Sequence, residues 1–227
     1  MRAACLADNY SPRMGKLMLR VWFVLFCLNA FAFGQAPAVA AATKTVVFLG
    51  DSLSAGLGVK PGEAFPALVG EKIREAGLPY QVENAGLSGD TTAGGLRRID
   101  WLLQRKIDVL VIELGGNDGL RGLPVNALKA NIQAIIDKVK AKEPEAKIVI
   151  AGMQIPPNLG PDYAAQFQRV YGEVAQANNA TLIPFLLEGV GGLRELNQPD
   201  MIHPTAAGHR KVAEVVWRTL EPILRRG

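Results

Sequence analysis

The segment Ile107–Leu114, IDVLVIEL, constrains the fold most. Its apolar side chains come at successive rather than alternate positions, as in a strand covered on both faces of a sheet. Four more short runs share its character: Thr45–Leu49 (TVVFL, ending at Gly50), the weaker Tyr80–Asn84, Lys147–Ala151 (KIVIA) and Thr181–Pro184 (TLIP). Between and after them lie stripes at helical spacing. Leu96, Ile99, Leu102 and Leu103 form one, and Leu128, Ile132, Ile135, Ile136 and Val139 a second, closed by Pro144. Phe167, Val170, Tyr171 and Val174 form a third, and Val212, Val216 and Leu220 a fourth. Strand–helix alternation of this kind predicts an α/β sandwich around a parallel sheet, with right-handed crossovers.

A parallel sheet collects ligands where loops leave the carboxyl ends of its strands. The polar residues of this chain cluster at those places. Gly50-Asp51-Ser52-Leu53-Ser54 follows the first strand, and Asn84 to Asp90 (NAGLSGD) follows the second. Gly115-Gly116-Asn117-Asp118 follows the third, and Asp200-Met201-Ile202-His203-Pro204 precedes the last helix. Acyl transfer by a serine needs an imidazole to take its proton and a carboxylate to orient that imidazole. The chain has two histidines. His203 stands three residues after Asp200, within reach of one tight turn, whereas His209 shares a helical face with Val212, Val216 and Leu220 and reads as a packing or capping residue. Ser52 follows a strand and a glycine and is the candidate nucleophile. Ser54, the competing hydroxyl, reads as a turn or helix-cap residue. Ser52 N–H, Gly89 N–H and the Asn117 amide are candidate oxyanion donors. Asp51, Asp90 and Asp118 read as loop buttresses, and no metal site is expected among them. The loop Gln154–Asp162 (QIPPNLGPD) carries Ile155, Pro156 and Leu159, which suit one wall of an acyl groove.

GDSLS, the SGD at 88–90, the GGND at 115–118 and the DxxH at 200–203 resemble, in order, the four blocks of the SGNH/GDSL hydrolases. The run ELGGNDGLRG at 113–122 resembles the branch of periplasmic acyl-CoA thioesterase I/lysophospholipase L1 and bacterial arylesterases. The resemblance implies a flavodoxin-like three-layer α/β/α sandwich whose five parallel strands run in the order 2-1-3-4-5. It implies Ser52, Asp200 and His203 as a catalytic triad, Ser52, Gly89 and Asn117 as the oxyanion hole, and no cofactor. The activity expected is hydrolysis of acyl esters, including aryl esters and lysophospholipids, or of acyl thioesters. A carbohydrate O-deacetylase with the same triad and a non-catalytic flavodoxin-like binding module are the alternatives. The first would call for exposed aromatics to stack on sugars; the second would leave His203 without a task.

Charge and cysteine placement concern the start of the chain. Residues 1–42 carry Arg2, Arg13, Lys16 and Arg20 against Asp8, which is +3 of the total formal charge of +4. The remainder is close to neutral and has no basic run, so no nucleic acid partner is expected. A cationic start, the apolar run Val21–Phe33 and small residues at Ala38, Ala40 and Ala42 resemble a secretory signal. The expected organisation is a signal peptide and leader over 1–42 and a hydrolase domain over 43–227, exported to the periplasm or beyond. Cys5 and Cys27, the two cysteines, both lie in the leader, so the mature chain has no disulfide. A small-molecule substrate is expected, with a monomeric protein that meets membranes only through lipid substrates.

Overall fold

A computed structural model describes residues 43–226. The signal-peptide reading falls outside the described residues. The sheet has five parallel strands: β1 (Lys44–Gly50), β2 (Tyr80–Gly86), β3 (Val109–Glu113), β4 (Lys147–Ala151) and β5 (Thr181–Ile183), in the order β2-β1-β3-β4-β5. Every strand predicted is present. The third is shorter than its apolar run, because Ile107 and Leu114 serve the core from the flanking loops, both essentially buried.

The helices are α1 (Ser52–Ala55), α2 (Phe65–Glu75), α3 (Thr92–Leu102), α4 (Gly116–Leu120), α5 (Val125–Lys142), α6 (Pro161–Ala177) and α7 (Ala206–Arg225). The strand order reverses direction after β2. With right-handed crossovers, α2 therefore covers one face of the sheet and α3, α5 and α6 the other, while α7 returns to pack on α2. This is the expected three-layer sandwich. Each sequence stripe is the buried face of its helix: Leu128, Ile132, Ile135, Ile136 and Val139 of α5 are all 1% exposed or less.

Among the helices longer than five residues, the unpredicted one is α2. Its buried positions Phe65, Pro66, Val69 and Ile73 follow helical spacing. Pro66 and Gly70 break the run to the eye, yet a proline in the first turn is compatible with a helix because its missing N–H would have no partner there. The reversal of strand order lies between β1 and β3, where the loops after both strands open side by side. That opening is where the candidate residues meet.

Candidate active site

Ser52 is the first residue of α1, directly after β1. Asp51 caps that turn, its Oδ1 accepting from Leu53 N at 3.0 Å. At the other end of the chain, Asp200 closes a tight turn on His203: its Oδ1 accepts from Ile202 N at 2.9 Å and His203 N at 3.0 Å. Its other oxygen, Oδ2, lies 2.7 Å from His203 Nδ1. At a sequence separation of 151 residues, His203 Nε2 lies 2.9 Å from Ser52 Oγ. The burial around Asp200 pushes its pKa up, but the two backbone N–H groups and the imidazole outweigh it and hold the carboxyl at about 2. An ionised Asp200 can only accept, so Nδ1 carries the proton and Nε2 is left to accept from the Ser52 hydroxyl. The serine, the imidazole and the carboxylate form one continuous chain of hydrogen bonds.

The candidate oxyanion donors are brought together, Asn117 bonding to Asp51 beside Ser52 and to Asp90 beside Gly89, but they differ in readiness. Gly89 is the third residue of a turn closed by Asp90 N donating to Leu87 O at 3.0 Å, and its φ of 80° explains the glycine. Neither Ser52 N–H nor Gly89 N–H has an acceptor among the described residues. Asn117, in α4, donates from Nδ2 to Asp90 O at 2.9 Å and to Asp51 Oδ2 at 3.1 Å, so both amide hydrogens are engaged.

Beneath Ser52 is a buried carboxyl pair. Glu113, at the end of β3 and in register with Gly50, is fully buried. Its Oε2 accepts from Ser54 Oγ at 2.6 Å, Ser54 N at 3.1 Å and Asp51 N at 3.2 Å. Burial, and then the neighbouring Asp51, pushes Glu113 well above the usual carboxylate range. Burial also raises Asp51 to about 6, against the lowering effect of Leu53 N–H, His203 and Asn117. This corrects the reading of Ser54, whose hydroxyl anchors α1 to Glu113 while Asp51 supplies the cap. Gly50 is required by the same contact, since a Cβ there would fall on the Ser54 side chain and the Glu113 carboxyl.

The other aspartates buttress loops as expected. Asp118 accepts from Thr92 N at 2.9 Å and from the Thr92 hydroxyl. Asp90 accepts from Arg98 Nε at 2.7 Å. Arg98 also donates to Ala85 O at 2.6 Å and Gly50 O at 2.8 Å, so one guanidinium ties the ends of β1 and β2 to the Gly89 turn. His209 is buried and its Nδ1 accepts from Phe65 N at 3.2 Å, which caps α2 and agrees with the packing role expected of it.

The loop with Ile155, Pro156 and Leu159 leans on the segment after Asn117. Ile155 packs over Gly119, where a Cβ would overlap it, and a Cβ at Gly122 would meet Leu159 at 3.5 Å. Leu159, Leu120 and Leu123 all keep exposed apolar surface. Glu113, Arg98 and Gln198, whose amide donates to Leu57 O at 2.7 Å, are not marked by the sequence reading. Glu113 carried a signal, as a carboxylate at the end of an otherwise apolar buried run. Arg98 and Gln198 carried none.

The profile of the GDSL-like lipase/acylhydrolase family matches residues 48–211. The chain belongs to that family. As a GDSL-like acylhydrolase it is a carboxylic ester hydrolase. It is 45% identical over 185 residues to esterase TesA of Pseudomonas aeruginosa, a match covering 81% of this chain and 91% of that one. Thioesterase 1/protease 1/lysophospholipase L1 of Escherichia coli is 35% identical, over 82% of this chain and 87% of its own. The crystal structure of the psychrotrophic esterase EstA from a Pseudoalteromonas species, inhibited by monoethylphosphonate, superposes with a TM-score of 0.76 at 33% identity. That match covers 80% of this chain and 99% of EstA.

Proposed function

We propose that this GDSL-like acylhydrolase cleaves acyl esters and thioesters with Ser52 as nucleophile, His203 as general base and acid, and Asp200 as the group that orients the imidazole. One observation carries the assignment: contacts of 2.9 and 2.7 Å link Ser52 Oγ, His203 and Asp200 in line, although the serine and the histidine lie 151 residues apart. The names of the esterase and thioesterase relatives support the substrate class.

Ser52 Oγ attacks the acyl carbon while its proton passes to His203 Nε2, and the carbonyl π pair moves to oxygen. The oxyanion is held by Ser52 N–H, Gly89 N–H and the Asn117 amide, each worth about 3 kcal/mol in favourable cases. Collapse breaks the bond to the alkoxy or thiolate group, which leaves with the proton from Nε2. Water then attacks the acyl-enzyme, giving its proton to Nε2, and the second collapse returns that proton to Ser52 and releases the acid. Asp200, held ionised, stabilises the imidazolium that forms twice in each cycle.

Ile155, Pro156 and Leu159 form the acyl-side wall in this proposal, with Leu120 and Leu123 beside them on the segment they lean on. The leader over 1–42 exports the hydrolase domain 43–227 to the periplasm. The test is a chain-length series of p-nitrophenyl esters, with an acyl-CoA and an acetylated glycan beside it. Wild type should hydrolyse the acyl esters and the thioester in preference to the glycan. Ser52→Ala should lose 10³-fold or more in kcat while still binding substrate. Ester hydrolysis at wild-type rate by purified Ser52→Ala would reject the assignment.

A further inference from the structure

The Ser52–His203 contact joins two pieces of chain that the sheet does not hold in register. Ser52 follows β1, whereas His203 sits in the long connection between β5 and α7. Most hydrogen bonds of the Asn197–Thr205 turn stay within that connection: Asn197 N and Nδ2 reach Leu193 O, Thr205 N reaches Leu196 O, and Met201 N reaches Gln198 O. Among the described residues, one hydrogen bond besides His203–Ser52 links this turn to the Ser52 turn. It is Gln198 Nε2 donating to Leu57 O at 2.7 Å. Leu57 N in turn donates to Ser52 O at 3.0 Å.

Gln198 grips the histidine side as firmly. Its backbone N–H donates to His203 O at 2.7 Å, and its Nε2 also donates to Pro204 O at 3.1 Å. The side chain thus spans from the carbonyl of Leu57, whose own N–H bonds Ser52 O, to the carbonyl of Pro204, while the Gln198 backbone holds His203 O. The two turns meet closely there, since a Cβ on Gly58 would overlap the Gln198 amide.

We propose that Gln198 is a positioning residue for hydrolysis, its amide fixing the distance between Ser52 Oγ and His203 Nε2 by tying the His203 turn to the turn after Ser52. This inference rests on Ser52 and His203 being the reacting pair. Both bonds need N–H donors, because both acceptors are carbonyls. A glutamate of the same shape presents only oxygens at neutral pH and would push the carbonyls apart. Displacing reacting groups by about 1 Å costs on the order of 10²-fold in rate.

The experiment compares wild type, Gln198→Ala and Gln198→Glu, with Ser52→Ala as a control. It measures kcat and KM on p-nitrophenyl butyrate, the rate of inactivation by a fluorophosphonate, and the thermal midpoint. Both Gln198 variants should lose tenfold or more in kcat and in phosphonylation rate together, with KM within threefold of wild type and Gln198→Glu at least as impaired as Gln198→Ala. Gln198 is half-buried at the surface, so the variants should melt within a few degrees of wild type. A Gln198→Glu enzyme that turns over and is phosphonylated within threefold of wild type would overturn the proposal, as would a loss confined to KM. Retained activity in the Ser52→Ala control would instead strike at the triad assignment.

Discussion

His209 couples stability to pH, and the size of the effect follows from its surroundings. It is 1% exposed on α7, stacked on Phe65, with Nδ1 accepting from Phe65 N and Nε2 buried without a partner. Burial, and then the charge of His203, lowers its pKa from 6.5 to about 4. The folded protein therefore binds this proton later than the unfolded chain as pH falls. The contribution of neutral His209 is whole above 6.5 and lost progressively down through 4. Between pH 7.5 and 4.5 the loss from this residue is about 2.5 kcal/mol, taking 6.5 unfolded and 4 folded. Asp51 and Glu113, raised by burial, act in the opposite sense, because acid relieves them. The wild-type profile alone thus mixes these effects. His209→Asn isolates the histidine: its amide oxygen can take the Phe65 N–H, and it does not titrate. Urea unfolding of both proteins at pH 7.5, 6 and 4.5 should show the asparagine variant gaining about 2.5 kcal/mol on wild type across the range. A constant difference between the two proteins would refute the account of a histidine held neutral by burial.

Two other substitutions probe the turns that carry the proposed reacting groups. Gly50→Ala places a methyl on Ser54 and Glu113; it should cost about 1–3 kcal/mol in denaturant unfolding and lower kcat by disturbing α1. Met201 lies at φ 60° between Asp200 and His203. Met201→Gly should leave turnover intact and raise stability by about 0.5 kcal/mol, whereas Met201→Val should lose about 1–2 kcal/mol and most activity, β-branched residues being poorly tolerated there. Equal kcat and melting temperature in both Met201 variants would contradict this reading of the turn.

The fold was legible in the sequence because a doubly covered parallel strand leaves an apolar run that little else produces, and Val46–Leu49 and Val109–Ile112 are buried as such runs require. The boundaries of β3 were less legible: apolar residues continue beyond the hydrogen-bonded register, as Ile107 and Leu114 do. The helix α2 was hidden by Pro66 and Gly70. At the site, the residues of the family blocks could be read directly. What supports them could not, because Gln198 and two of the three Arg98 contacts act through backbone carbonyls, and accepting through a backbone carbonyl imposes no residue type on the accepting position. The doubly engaged amide of Asn117 was equally beyond reach, being a property of where Asp51 and Asp90 O come to lie.

The proposed reaction stands on one hydroxyl. Treating the purified protein with a fluorophosphonate, weighing it intact and sequencing the labelled peptide reads that hydroxyl directly. A single adduct on Ser52, formed as hydrolysis is lost and absent from Ser52→Ala, is the predicted result. An adduct on Ser54 or Ser88, or full inhibition with Ser52 unmodified, would contradict it.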